Sequence, residues 1–301
     1  MKRLLMLLAG AGLAAASTAQ AQDAPYKLSG QWAADYGDDY CRLAGTFSNG
    51  KDEIALGFER TQPGPFLRMM LSGKDIRTFR GASELGYQFR PGGSAQSAPY
   101  FRSKTPDGQD YIFLDNLTLL QVSSGPPAPG AEPASPQMYN RQAEQDAAGG
   151  VTEVVLDKGM TSPVHIDMGS LRAPLSVLQD CADDLLKVWQ LDPEKHQTMT
   201  MPVIPNFSPE GWLPGGMIPF SEFSKFMGNS NQVRLIVDAA GKPSSCTVHR
   251  PTLSQSLNGQ ICSTLMEKAS FQPAKDAQGQ PMASYWMGSP MFLGPPMGGR
   301  R

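Results

Sequence analysis

Apolar and polar positions alternate most clearly near the C-terminal end of the chain. In the run 231–251, Val233, Leu235 and Val237 share one face, and Cys246 and Val248 resume the alternation after the turn-forming stretch AAGK. Alternation with a period of two is typical of half-buried strands. The run therefore predicts a β-hairpin.

An amphipathic helix and a last strand are predicted to follow this hairpin. Apolar residues recur at helical spacing across 254–271, which predicts a helix. They are Leu257, Ile261, Leu265 and Ala269, with Cys262 and Met266 beside them. The string FQPAKDAQGQP (271–281) ends the helix because proline and glycine interrupt it. The stretch ASYWMGSPMFL (283–293) can then return as a strand.

This β-β-α-β order resembles the C-terminal domain of the TonB family, over residues 210–293. The family has a D-x-x-G turn between its first two strands, which matches Asp238 to Gly241 here. After its helix it has a phenylalanine, Pro-Ala and Gly-x-Pro; the matching residues are Phe271, Pro273, Ala274, Gly279 and Pro281. The stretch RPTLSQSLNG (250–259) departs from the small-residue turn and Leu-Asp that usually open the family's main helix. The family's transducers bind a short segment of outer-membrane receptors at a sheet edge, so the resemblance implies a domain at 217–293 with such an edge.

Strand patterns and one strong helix predict a separate N-terminal domain over residues 22–193. The strand-like segments are Leu43–Phe47, Ile54–Glu59, Phe66–Leu71, Tyr100–Ser103, Asp110–Leu114 and Leu117–Val122. Turn signals such as SNGKD and TPDG separate them, and apolar spacing predicts the helix over 173–193. The expected fold class is α+β: an N-terminal domain with antiparallel strands and a C-terminal helix, followed by the TonB-like β-β-α-β domain.

Proline and glycine mark the predicted connections. The segment 125–136 is rich in proline and alanine, which predicts a surface loop. Proline and glycine recur without periodicity across 194–216, so this segment is predicted to be a linker. Residues 294–301 are predicted to be a disordered tail.

The N-terminal residues have the three-part pattern of a secretory signal peptide. Lys2 and Arg3 precede an apolar run from Leu4 to Ala16, and Ala19-Gln20-Ala21 forms a cleavage site. The apolar run is shorter than the roughly 20 residues that a transmembrane helix needs. Residues 1–21 are therefore predicted to be removed near Ala21, leaving a periplasmic chain without stable membrane insertion. The alternative is that the leader is retained as an anchor.

Four cysteines in an exported chain predict two disulfides. Cys246 and Cys262 lie on the adjacent strand and helix of one predicted domain, which favours their pairing. Cys41 and Cys181 are then left for each other, near the two ends of the N-terminal domain.

Composition and motifs do not favour nucleic-acid binding or catalysis. The net charge is −2, and basic residues form no concentrated cluster. There are three histidines and no recognised catalytic motif. The chain is therefore predicted not to be an enzyme, and to use no cofactor and no metal. One weaker alternative is copper: His196, Met199 and Met201 have soft ligands in an extended segment.

The sequence thus predicts a periplasmic, non-enzymatic binding protein of the Gram-negative envelope. It would pair with partner peptides or with envelope and outer-membrane proteins by adding a strand to an exposed sheet edge. The last strand is the expected edge, with Tyr285, Trp286 and Met287 as partner-binding residues. Two alternatives remain: a membrane-anchored TonB-type transducer for outer-membrane transport, and an envelope structural protein that self-associates, for example as a homodimer.

Overall fold

The structure is a computed structural model that describes residues 24–105, 107–120, 138–226, 228 and 230–293. The predicted leader (1–21), the proline-rich segment (125–136) and the predicted tail (294–301) lie outside the described residues.

A closed sheet of nine strands dominates the first two thirds of the chain. The strands of this region are β1 (Tyr26–Leu28), β2 (Ala33–Tyr36), β3 (Cys41–Ser48), β4 (Glu53–Arg60), β5 (Leu67–Gly73), β6 (Glu84–Arg90), β7 (Gln96–Lys104), β8 (Asp110–Leu117), β9 (Glu153–Leu156) and β10 (Val164–Asp167). Their order is β1-β10-β9-β6-β7-β8-β5-β4-β3, and β1 also pairs with β3, which closes the ring. Strand β2 pairs with β3 outside the ring. The pairing of β1 with β10 is parallel.

Alternation along these strands decides which side chains form the first core. Leu43, Phe58 and Met69 are neighbours across β3, β4 and β5, and all three are buried. The residues between them, such as Arg42 and Glu59, point to the opposite face of the sheet. The tight turn between β3 and β4 is held by Asn49, whose Oδ1 accepts from the backbone N–H groups of Lys51 (2.9 Å) and Asp52 (2.8 Å).

Helices α1 (Arg141–Gly150) and α2 (Arg172–Val188) lie against the closed sheet, and the short helix α3 (Pro193–Gln197) packs on α2. Helix α2 buries Leu175, Leu178 and Leu185 on the face that its apolar spacing predicts. The predicted Cys41–Cys181 disulfide is confirmed, and it ties α2 to β3.

A buried polar network fixes α1 in place. Glu144 of α1 is fully buried, forms an ion pair with Arg60 of β4, and accepts a hydrogen bond from Gln179 Nε2 (2.8 Å). Tyr139 donates to the same carboxylate. Because a buried charge needs both a counter-charge and hydrogen bonds, this network holds α1 on the sheet in one arrangement.

The remaining elements surround a second core. They are β11 (Ile204–Pro205), β12 (Gln232–Val237), β13 (Pro243–His249), α4 (Gln255–Lys268), β14 (Phe271–Gln272), β15 (Ala274–Lys275), β16 (Pro281–Met282) and β17 (Ser284–Gly288), with 3₁₀ turns at Phe220–Lys225 and Pro290–Phe292. Strands β13, β12 and β17 form an antiparallel sheet in that order. Val233 and Leu235 of β12 pack with Ile261 and Leu265 of α4 in this core.

The predicted hairpin and helix are present, and the turn between β12 and β13 has the expected chemistry. Asp238 Oδ1 accepts from the backbone N–H groups of Ala240 and Lys242, both at 2.9 Å. Gly241 has a φ of 79°, which glycine adopts without strain. The predicted linker is partly packed, because Val203, Trp212 and Leu213 belong to the second core.

The predicted fold class, α+β with a TonB-like second domain, is wrong for this chain. Most of its regular structure is strand, arranged as the closed nine-stranded sheet and several small sheets, and its helices are short. The error came from strands that were not predicted, above all β6, β9 and β10, which complete the ring. Strands β9 and β10 have only four residues each, too few for a clear period of two.

Candidate functional site

The three-stranded sheet has two edge strands, β13 and β17, and the rest of the protein covers them differently. Tyr285 of β17 packs edge-on against Trp189 with ring centroids 5.1 Å apart, and its hydroxyl donates to the carbonyl of Pro63 (3.2 Å). His196 of α3 contacts Ser284, which belongs to the same strand. Much of the β17 side is therefore occupied by the N-terminal part of the chain.

The residues predicted to bind a partner make internal contacts. Trp286 packs against Trp212 and Phe271, with centroid distances of 5.3 and 5.8 Å, and Met287 lies opposite Arg234 in the sheet register. Together with Tyr285, these side chains lie on both faces of β17. The contacts explain their conformations, and partner binding by these three residues stays a prediction.

Strand β13 is the more accessible edge. Among the described residues it pairs with β12 alone. Ser244 and Ser245 are exposed, and Cys246, Thr247 and Val248 are half-buried. No Asp, Glu, Lys or Arg lies between Lys242 and His249. Edge strands are usually protected against pairing with other chains by charged residues or proline. In β13 only the first residue, Pro243, is of this kind, so the rest of the strand lacks this protection.

A groove of about 480 Å³ lies beside β13, between this strand and helix α4. Its walls come from the strand, the following loop and the helix: Cys246, Val248, Leu253, Asn258, Gly259 and Cys262. The disulfide between Cys246 and Cys262 confirms the second predicted pairing and crosses from strand to helix. The groove is thus bounded by apolar side chains, a disulfide and the amide side chains of Gln255 and Asn258.

Two residues of α4 shape the helix wall of the groove. Apart from the adjacent helix backbone, no atom lies within 4 Å of the place where a Cβ of residue 259 would lie, so the wall is open at Gly259. Asn258 Nδ2 donates to the carbonyl of Leu253 (3.2 Å), while its buried Oδ1 has no hydrogen-bond partner among the described residues. A buried acceptor without a donor is uncommon in proteins.

The opposite face of the small sheet is anchored by a polar contact with the loop between β2 and β3. Arg234 donates to Asp39 (2.9 Å) and to His249 Nε2 (3.0 Å), and its guanidinium lies 4.1 Å from the ring centroid of Trp189. Burial and the neighbouring Arg234 charge lower the pKa of His249 from 6.5 to about 4, so this imidazole is neutral at pH 7. The following residue, Arg250, forms an ion pair with Glu59 of β4. The end of β13 is thereby held in a fixed position.

A larger cleft of about 840 Å³ lies where α1, α2, α3 and β17 meet. Its charged groups are paired with one another: Arg141 donates to Asp183 (2.6 Å), and Gln197 donates to the same carboxylate (2.7 Å). Burial raises the pKa of Asp183 and lowers the pKa of His196. Perturbed groups in a cleft can indicate catalysis, but here each has a structural partner.

His196 and Ser284 have the geometry of a base and a nucleophile without the access that catalysis needs. His196 Nδ1 is 2.7 Å from the carbonyl of Asp192 and Nε2 is 2.9 Å from Ser284 Oγ. This hydroxyl belongs to a residue that is only 1% exposed, so a substrate does not reach it. Both ring nitrogens are also engaged, which disfavours the copper site predicted with Met199 and Met201. The described residues contain no group of three or more His, Cys, Asp and Glu that could hold a metal ion.

No family model, no curated protein and no solved structure matches this chain. The resemblance of residues 210–293 to the TonB C-terminal family therefore stays a prediction. Within the described part of the chain, none of the helices is both long and apolar enough to cross a membrane.

Proposed function

We propose that this protein is a periplasmic, non-enzymatic binding protein that captures extended peptide segments by strand addition. The observation that carries the proposal is the uncharged, accessible edge of β13 beside a groove. The proposed binding edge is therefore β13, whereas the sequence pattern predicted the last strand.

The backbone of β13 offers the main attraction for an extended segment. In an antiparallel pair, alternate residues of an edge strand direct their N–H and C=O groups away from the neighbouring strand. Such groups can pair with an incoming strand, and each hydrogen bond contributes about 1 kcal/mol net. Backbone pairing over five or six residues cannot by itself offset the cost of ordering the segment, so side chains must add to the affinity.

The groove would select those side chains. Alternate residues of an added strand point to the same face of the sheet, and on the α4 side this face contains Val248, Leu253 and the open position at Gly259. Apolar or β-branched residues at every second position fit these walls, whereas a charged residue would lose hydration without gaining a counter-charge.

The two disulfides support an oxidising compartment for this activity, because such bonds persist mainly in exported proteins. A periplasmic location is part of the proposal on this ground and on that of the predicted leader.

Fluorescence anisotropy with a labelled heptapeptide tests the proposal. The peptide alternates valine and threonine, is acetylated at its start, and ends in a lysine amide. We expect saturable binding in the micromolar range. A peptide with proline at the central position should not bind, because proline has no N–H group to donate and disrupts an added strand.

Matched variants locate the site. Gly259→Leu should weaken binding at least tenfold, since the new side chain fills the groove, while Gln260→Leu adds the same side chain to an exposed position of α4 outside the groove walls. Equal affinity of the two variants, or no binding by the unaltered protein, would contradict the proposal.

Sedimentation velocity over a range of concentrations distinguishes peptide capture from pairing of β13 with a second copy of the chain.

A further inference from the structure

The two disulfides differ sharply in their exposure to solvent. Cys41 is 0% exposed and Cys181 is 3% exposed, and both belong to the first core. Cys246 and Cys262 are half-buried and form part of the groove wall beside β13. An external thiol can therefore reach the second bond without any unfolding of the protein, but not the first.

We propose that the Cys246–Cys262 disulfide is a thiol–disulfide exchange site for external dithiols, and that its reduction weakens peptide capture in the groove. The effect on capture rests on the proposed function, whereas the exchange chemistry does not.

The exchange is a two-step reaction in which the protein gains two electrons and two protons. A thiolate of the dithiol attacks one sulfur of the pair, forms a mixed disulfide and releases the other cysteine as a thiolate. The second thiol of the reagent loses its proton to water and attacks the mixed disulfide, which releases the second cysteine. The reagent leaves as a cyclic disulfide, and the two cysteine thiolates take protons from water.

Reduction would loosen α4 at the end that forms the groove. The second half of the helix stays attached through Leu265 and the following Ala269, which are both buried. In the first half, Ile261 alone is fully buried, and Leu257 is partly buried. The disulfide at Cys262 is therefore a main attachment of the segment that contains Asn258 and Gly259, and its loss leaves the groove without a fixed width.

Partial reduction of the native full-length protein tests the exchange site. The protein is incubated with dithiothreitol at pH 7.5, samples are treated with N-ethylmaleimide at intervals, and peptide mass spectrometry measures labelling at each cysteine. We expect Cys246 and Cys262 to be labelled at least tenfold faster than Cys41 and Cys181. Equal rates, or faster labelling of the buried pair, would overturn the inference.

Peptide binding is then measured on the selectively reduced protein and on the Cys246→Ser/Cys262→Ser variant, after circular dichroism has shown that both remain folded. The valine–threonine heptapeptide should bind at least fivefold more weakly to both than to the oxidised protein. Unchanged affinity after selective reduction would overturn the link to capture. Selective labelling without any heptapeptide binding by the oxidised protein would refute the proposed function and leave the exchange site standing.

Discussion

At the scale of single residues, two glycines near the proposed site have opposite roles. Gly241 has a φ of 79°, and a Cβ there would lie 2.0 Å from the carbonyl oxygen of Phe271. Gly259 lies inside helix α4 with open space at the position that a Cβ would occupy. The first glycine is required by the backbone, whereas the second weakens its helix and leaves the groove open.

Substituting each glycine by alanine should therefore change stability in opposite directions. Gly259→Ala is expected to raise the free energy of unfolding by about 0.5–1 kcal/mol, because alanine favours the helix and restricts the unfolded chain. Gly241→Ala should lower it by more than about 1 kcal/mol, through backbone strain and the contact with Phe271. Urea titrations followed by circular dichroism measure both. A stabilised Gly241→Ala variant would contradict this account of the turn.

At the scale of elements, each core has one disulfide that joins a helix to a strand. Cys41–Cys181 connects β3 to α2 across 140 residues of sequence, and Cys246–Cys262 connects β13 to α4 across 16 residues. Both pairings follow from the positions of the cysteines in the sequence. The structure adds that one bond is enclosed in a core and that the other borders a groove.

Removing the two disulfides should reduce stability by different amounts. In the chain-entropy treatment, loss of the longer loop closure in Cys41→Ala/Cys181→Ala costs about 4–5 kcal/mol, and loss of the shorter one in Cys246→Ala/Cys262→Ala costs about 3 kcal/mol. Urea unfolding of both double variants under identical conditions measures the difference. A greater loss from the short-loop variant would show that local packing, not loop closure, dominates.

At the scale of the whole molecule, the two cores meet at a contact that contains a neutral buried histidine. His249 faces Arg234 on its own sheet, Asp39 in the loop between β2 and β3, and Trp189 at the C-terminal end of α2. The pKa of His249 is lowered to about 4 by burial and by Arg234, so the folded protein resists protonation at this position.

Stability should consequently fall as the pH decreases from 6.5 to 4. In that window the unfolded chain binds a proton at His249 that the folded chain does not, so the loss grows on acidification and levels off below about pH 4. The total loss in the free energy of unfolding is on the order of 3 kcal/mol for a pKa shift of this size. His249→Gln, which cannot take up this proton, should flatten the profile of unfolding free energy between pH 6.5 and 4 relative to the unaltered protein. Parallel profiles for the two proteins would argue against this interface as an acid-sensitive point.

Local features were predictable because they depend on neighbouring residues. The hairpin over 231–251, its Asp238–Gly241 turn and the helix that follows are set by alternation, turn chemistry and helical spacing. The pairing of cysteines could also be ranked from their placement. In contrast, strands β9 and β10 are short, and helix α1 contains few apolar residues. None of these three elements therefore produces a strong periodic pattern in the sequence.

The sequence by itself determined the local elements around the proposed site and the partners of its cysteines. The tertiary structure decided that nine of the first ten strands close into a ring, because β1 pairs both with β3 and with β10, which is far from β1 in the chain. It also decided which edge of the small sheet is more accessible: Tyr285 of β17 contacts Trp189 and Pro63, whereas β13 has the exposed residues Ser244 and Ser245. The periodicity of apolar residues depends on neighbours in the sequence. Closure of the nine-stranded sheet and coverage of the edge of β17 instead result from contacts between segments that are distant in the sequence.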